Sequence, residues 1–281
     1  MQLRSFGGTN RQVAAIGQGT WYQRDDERAA AIAALRRGID LGMTHIDTAE
    51  MYLNGAAEEW IAEAIARRRG EIFLVSKVLP SNASRRGTVA ACERSLARLR
   101  TDYLDCYLLH WRGSYRLVET VAGFAQLQRE GKIRSWGVSN FDARDLDELL
   151  AAAGGSAPAC NQVLYHLQER AIEHSVLPWC GRHETALVAY SPFGHDRFPG
   201  PRAAGGRVLQ EVADAHDATP RQVALRFLLR EENVFVIPKS SNPAHVEEIA
   251  AAGGLALSGA EQDRIAHAFP LGPEPRELPM L

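Results

Sequence analysis

Residues 73–80, FLVSKVLP, place a lysine near the end of an almost unbroken apolar run. A run this short and this apolar fits a parallel strand covered on both faces, not the half-polar alternation of an exposed one. The lysine is unusual for this chain, whose 32 basic residues include only three lysines, Lys77, Lys132 and Lys239. Lysine is a compact, flexible cation whose pKa responds to burial, whereas the arginine guanidinium is planar, wide and always charged. Lys132, in GKIRSWG, falls at a helix exit. Lys77 and Lys239 each close a strand-like run, the second within VFVIPKSS.

Outward from this stretch the same rhythm repeats. Strand-like runs are VAAIGQGTW, THIDTAE, IFLVSKV, YLDCYLLHW, IRSWGVSN, ACNQVLYH, ALVAYSPFG and VFVIPKSS. Between them the apolar period becomes helical: Trp60, Ile61, Ala64 and Ile65 share one face, Val89, Cys92, Leu96 and Leu99 another, and Val118, Val121, Phe124 and Leu127 a third. Ser84 and Asp142 are expected N-caps, and Gly42, Gly70 and Gly131 helix stops. Eight strand–helix cycles with short loops predict an α/β fold, a (β/α)8 TIM barrel. LRSFGGTNRQVAAIG before it reads as a β-hairpin plugging the barrel bottom, with Gly-Gly-Thr-Asn as the turn, and LSGAEQDRIAHAF as an extra C-terminal helix. No linker or repeat divides residues 1–281, so one domain is expected.

Composition narrows the function. At 46% hydrophobic residues, a net charge of -2 and a mean hydropathy of -0.23, the chain can bury a large core and offers no basic stripe for nucleic acid or an acidic membrane. There is no membrane-span-length run and no signal-peptide core in MQLRSFGGTN. Cys92, Cys106, Cys160 and Cys180 lack CxxC spacing and read as small buried hydrophobes, which points to a reducing cytoplasm. The arginine-for-lysine bias fits a GC-rich bacterial genome. With no apolar stripe left over, a monomer is expected.

Chemistry in such barrels sits where strands end. Asp47 ends the second strand, with Tyr52 in the loop beyond. Lys77 ends the third, and His110 the fourth, followed by Trp111. Singly, these are a helix cap, a packed lid and a satisfied core histidine; jointly, they bring an acid, a phenol, a cation and an imidazole to one rim. A phenol with a pKa near 10 is a poor proton donor until a neighbouring ammonium stabilises its phenolate. A carboxylate keeps that ammonium charged, and a neutral imidazole can orient a carbonyl oxygen. The set suits an oxygen that gains negative charge, as when hydride adds to a carbonyl.

At these residues a resemblance becomes specific. GMTHIDTAEMYLNGAAEEWIAEAI, VSKV, YLDCYLLHW, GKIRSWGVSNF, NQVLYH, VAYSPFG and VIPKSSNPAHVEE resemble, in order and spacing, the motifs of the aldo-keto reductases along essentially the whole chain. GQGTWY and DTAEMY look closest to bacterial members that reduce small aldehydes such as methylglyoxal. The resemblance implies Tyr52 as proton donor, a Lys77–Asp47 pair behind it and His110 aligning the substrate. It also implies a nicotinamide cofactor bound without a Rossmann domain, consistent with the absence of a G-x-G-x-x-G after the first strand. In the family pattern Ser139, Asn140 and Gln162 hold the carboxamide, Asp47 also belongs to the cofactor-binding set, Tyr190 stacks on the nicotinamide, and Gly19 and Thr20 close the first strand beneath it. Ser191, Pro192, Phe193 and Gly194 follow the pyrophosphate. Lys239, Ser240 and Ser241 receive the adenosine 2′-phosphate, which implies NADPH, with NADH possible.

Two positions depart from the family pattern. His245 stands where an arginine usually reaches the phosphate, and Ile249, after Glu248, where asparagine is common, so NADPH selectivity is expected to be modest. Trp21 and Trp111 are expected to wall the substrate pocket together with Tyr52 and His110. The loop WRGSYRLVE and the tail after Phe269 are short, and an open mouth accepting a small aldehyde or ketone is expected. Rival readings are a Schiff-base lyase using Lys77, a metal site at His45, Asp47 and His110, for which further ligands are lacking, and a non-catalytic nicotinamide-binding subunit that senses redox state.

Overall fold

The computed structural model describes residues 1–21, 25–195 and 198–281; Tyr22, which closes the GQGTWY motif, lies outside them. Strands β1 (Leu3–Ser5) and β2 (Gln12–Ala14) pair antiparallel with Leu3 opposite Ala14. Their turn ends in Asn10 at φ 57°, a left-handed position that asparagine tolerates. Phe6 in this hairpin is fully buried, with its ring 4.6 Å from Phe73 and 5.0 Å from Phe235, so the hairpin does plug the barrel floor. Arg4 fastens it by donating to the carbonyls of Leu229, Glu231 and Val234.

Among the described residues eight parallel strands follow: β3 (Gln18–Gly19), β4 (His45–Asp47), β5 (Phe73–Val78), β6 (Leu104–Leu109), β7 (Ile133–Ser139), β8 (Cys160–Leu164), β9 (Ala186–Tyr190) and β10 (Val234–Val236). Each pairs with the next in sequence. The ends meet where Ile16 bridges Val236, the Gly17 N–H donates to the Val236 carbonyl at 2.8 Å and the Gly19 N–H to the Pro238 carbonyl at 3.0 Å. The sheet is therefore a closed (β/α)8 barrel. β5 and β6 are buried at all six positions, the double coverage that their unbroken apolar runs require.

Helices α1 (Arg28–Asp40), α2 (Ala56–Ala64), α3 (Arg85–Leu99), α4 (Leu117–Arg129), α5 (Ala143–Ala152), α6 (Val176–Arg182), α7 (Ala204–Ala215), α8 (Pro220–Leu228), α9 (Pro243–Ala251) and α10 (Gly259–Ala268) surround it. Ser84 and Asp142 cap α3 and α5 as expected, accepting from the N–H groups of Gly87 and Asp145. The extra terminal helix is α10, opened by a Ser258–Glu261 capping box. Three details differ from the sequence reading. Two helices, α7 and α8, lie between β9 and β10 where one was expected, because the Thr219 capping box and Pro220 restart the chain. On α4 the buried face carries Leu117, Thr120, Phe124 and Leu127, leaving Val118 44% exposed, since Thr120 spends its hydroxyl on the Ala83 carbonyl. Gly70 stops no helix: α2 has ended at Ala64, and Arg67 takes the left-handed turn at φ 68°.

All four cysteines are free and buried. Burial holds the Cys92 and Cys180 thiols up at about 12, consistent with inert packing groups. Among the described residues no helix is long and apolar enough to cross a membrane.

His45 is the odd group of the floor. It is fully buried among the rings of Phe6, Phe73 and Phe235, and among the described residues neither ring nitrogen meets a hydrogen-bond partner. Burial, then the charge of Lys77, lowers its pKa from 6.5 to about 3. A lowered histidine contributes stability above its unfolded pKa and loses it as pH falls towards the folded one, here between about 6.5 and 3. Replacing His45 by Leu should therefore flatten the acid limb of stability by about 1.4 kcal/mol per pH unit in that window, read from urea midpoints at several pH values. An unchanged acid limb would show that His45 does not titrate on unfolding.

Candidate active site

The register of β4 and β5 sets the first contact. Asp47 lies opposite Val75, so Lys77, two residues further on, points to the same side one pleat higher. Lys77 is fully buried and all its donors are used: Nζ is 2.5 Å from Asp47 Oδ1, 2.8 Å from the Thr48 carbonyl and 3.3 Å from Tyr52 Oη. Tyr52 reaches this position through a bend in which Leu53 (φ 48°), Asn54 (φ 52°) and Gly55 (φ 96°) are all left-handed. A non-glycine residue held there costs on the order of 1–3 kcal/mol, so the surrounding fold enforces the bend. Asp47 Oδ2 accepts from Gln162 Nε2 at 2.7 Å, and the Asp47 carbonyl accepts from Thr20 Oγ1 at 2.8 Å.

Burial disfavours every charge in this cluster. It would lower the Lys77 ammonium, but Asp47 and then Tyr52 outweigh it and the net shift is upward. Burial pushes the Asp47 carboxyl up against the pull of Lys77 and Gln162. The 2.5 Å contact and the second acceptor at Thr48 favour the ionised pair. The Tyr52 phenol departs from the sequence expectation. Lys77 does pull its pKa down, but burial is the larger effect and the net shift is upward. The phenol is thus firmly protonated, with a cation already in place for the phenolate.

His110 follows β6, its N–H tied to the Val78 carbonyl at 3.0 Å. Its ring stands edge-on to Tyr52 at 5.7 Å and lies 4.8 Å from Trp111. Burial, then Lys77, lowers it to about 2, so it is a neutral imidazole. Asn140, left-handed at φ 60°, donates Nδ2 to the His110 carbonyl and to Ser139 Oγ, and its Oδ1 accepts the Tyr190 hydroxyl at 2.9 Å.

These groups face a cleft of about 520 Å³. Of the residues singled out from the sequence, it brings together Gly19, Thr20, Trp21, Asp47, Tyr52, His110, Trp111, Ser139, Asn140, Gln162, Tyr190, Ser191, Pro192, Phe193, Gly194 and Lys239; Lys77 lies directly beneath. Four others do not line it. Ser240 and Ser241 follow on the turn into α9, His245 is exposed on α9, and the Glu248 carboxylate accepts the Thr219 hydroxyl at 2.6 Å. His45 belongs to the floor, apart from this cluster.

The sequence reading missed several neighbours. Met51, His195, Ile237, Pro238 and Leu281 also line the cleft, with the His195 ring stacked on Trp21 at 5.8 Å. The tail after Phe269, expected to leave the mouth open, returns to it at its end: the Leu281 N–H donates to Tyr190 Oη at 3.4 Å, and both residues line the cleft. At the other end Lys239 Nζ lies 3.1 Å from Glu27, on the turn Asp25–Glu27 before α1. A turn motif such as SPFG signals its neighbour His195; nothing local signals Glu27 or Leu281.

Known proteins are similar to this chain over most of its length. The pattern of the aldo/keto reductase family matches residues 15–268. The methylglyoxal reductase YeaE of Escherichia coli K12 is 47% identical over 260 residues, 92% of each chain. A glyoxal reductase of Bacillus subtilis is 34% identical over 88% of each chain. The crystal structure of an aldo-keto reductase from Klebsiella pneumoniae in complex with NADPH superposes with a TM-score of 0.93 at 43% identity, covering both chains fully. Given a family match over most of its length and relatives well above 30% identity, the chain is an oxidoreductase that belongs to the aldo/keto reductase family.

Proposed function

We propose that the chain reduces small aldehydes and ketones, methylglyoxal among them, with NADPH, and that Tyr52 delivers the proton. The observation that carries this reading is the Lys77 ammonium shared between Asp47 and the Tyr52 oxygen at the floor of the cleft. The cleft also suits the cofactor. Asn140, Ser139 and Gln162 offer amide-complementary groups at one end, Tyr190 an aromatic face, Ser191 and Gly194 a bend of left-handed backbone, and Lys239 a cation for the 2′-phosphate at the other. When bound, the dinucleotide supplies the hydride that reduces the carbonyl carbon.

The protein's own part is positioning and proton transfer. Neutral His110 donates a hydrogen bond to the carbonyl oxygen and holds it beside Tyr52. As negative charge grows on that oxygen, the phenol O–H gives up its proton to it. The phenolate left behind is met by Lys77, which Asp47 keeps charged; Gln162 and Thr20 hold Asp47 in turn. Trp21, Trp111 and Leu281 exclude water and leave room for a small substrate. Lys77 suits no Schiff base, because its amine is fully buried and held protonated.

The same reading takes residues 1–281 as one domain, a monomer in the cytoplasm, with NADH as a weaker alternative cofactor. It is tested by the loss of NADPH absorbance with methylglyoxal or 4-nitrobenzaldehyde. Steady turnover is expected. Tight NADPH binding without turnover of any aldehyde would instead favour a redox-sensing subunit on this fold.

A further inference from the structure

Beside the end of the cleft that Lys239 lines stands a carboxylate that no part of the reaction uses. Glu27 ends the turn Asp25–Glu27 that leads directly into α1, and its side chain could cap the first free N–H groups of the helix. It makes no such bond. Its carboxylate turns to Lys239 instead, 3.1 Å from Nζ, with both side chains partly exposed at 25% and 32%. Lys239 lines the cleft and is the cation read above as the receiver of the 2′-phosphate. Arg37 of α1, a basic group on the face towards α9, is taken by Glu247 at 2.7 Å.

We propose that Glu27 is a cofactor-selecting residue: its carboxylate neutralises Lys239, opposes the 2′-phosphate of NADPH and accepts a ribose hydroxyl of NADH. The physical grounds are general. A ribose phosphate carries nearly two negative charges at neutral pH, and seating it on Lys239 requires the Glu27 contact to break and the like charges to part. A ribose hydroxyl is a donor with no charge, and a carboxylate at this end of a dinucleotide is the usual partner for it. One residue thus weakens binding of one cofactor and strengthens binding of the other. The chain is therefore a dual-cofactor reductase set by the balance of Glu27 against Lys239.

This inference rests on Lys239 as the 2′-phosphate site, and the test separates the two. Dissociation constants of NADPH and NADH are measured by titration calorimetry on the full chain for the wild type, Glu27→Gln and Lys239→Met, with thermal unfolding confirming that each variant is folded. Glu27→Gln should tighten NADPH by about tenfold, the scale of one like-charge contact removed at a partly exposed site, and weaken NADH. The NADPH gain should shrink as salt is raised. Equal changes for both cofactors, or none, while Lys239→Met weakens NADPH alone, would overturn the role of Glu27 and leave the phosphate site standing. Equal weakening of both cofactors by Lys239→Met would remove the phosphate site and, with it, the selector.

Discussion

Tyr52→Phe is expected to lower kcat for methylglyoxal by roughly 10²–10⁴-fold, the range supplied by a positioned proton donor, while the dissociation constant of NADPH stays close to that of the wild type. The substitution keeps the ring that stands edge-on to His110 and removes only the oxygen 3.3 Å from Lys77. Lys77 retains Asp47 and the Thr48 carbonyl as acceptors, so the charged pair beneath survives. Loss of binding alongside loss of turnover would mean that the ring position had collapsed. Turnover within tenfold of the wild type would remove Tyr52 as the donor. The pH profile gives a second reading. The phenol lies above its ordinary 10.0, so the donor form persists through neutral and mildly alkaline pH. His110, lowered to about 2, stays neutral throughout. Chemistry in the wild type should therefore show no alkaline fall below about pH 10.

Lys77→Met is expected to abolish turnover and to destabilise the fold by about 3–5 kcal/mol, because it strands the buried Asp47 carboxylate with only neutral partners. Methionine fills nearly the same volume, so packing is not the cause. The pH dependence gives the sign. Lys77 is raised above 10.5 in the fold, so its contribution is complete below that pH and is lost as pH climbs through the higher folded value. In the variant the stranded Asp47 is relieved by protonation, and the gap to the wild type should narrow as pH falls. Adding Asp47→Asn removes the stranded charge. The double variant should recover much of the stability, measured by urea unfolding, and none of the activity. If the double variant is no more stable than Lys77→Met alone, the cost does not come from a buried unpaired charge.

The barrel was legible because its strands are buried on both sides and so are written as short apolar words with a polar residue at the end. The same property exposed Asp47, the last residue of its run, Lys77, the last but one, and His110, the first beyond. Tyr52 was legible by proximity, yet the run of left-handed residues that aims it, Leu53 and Asn54, has no local signature, since leucine is a poor candidate for that backbone. The net pKa of the phenol was misjudged because a charge can be read from the sequence whereas the depth of burial cannot. Glu27 was invisible for a topological reason: its partner Lys239 is 212 residues away, and only closure of the barrel brings them together. Leu281 reaches Tyr190 across 91 residues in the same way. On α4 a three-to-four residue period could not distinguish the Val118 face from the Leu117 face, because Thr120 counts as polar until its hydroxyl meets a backbone carbonyl.

The closing seam also constrains the order of assembly during synthesis. Strands β3 to β9 can pair one after another as they leave the ribosome, each meeting a neighbour already made. Gly17 and Gly19 must wait for Val236 and Pro238, and Arg4 for acceptors as many as 230 residues downstream. Until then the nascent chain is an open sheet with two bare edges and an aromatic floor, Phe6, Phe73 and His45, lacking Phe235. Such edges are templates for pairing with another chain, and contacts this distant form slowly. The interval between emergence of β9 and of β10, filled by α7 and α8, is thus the period in which a crowded cell most endangers this protein, and shortening that interval would favour its yield.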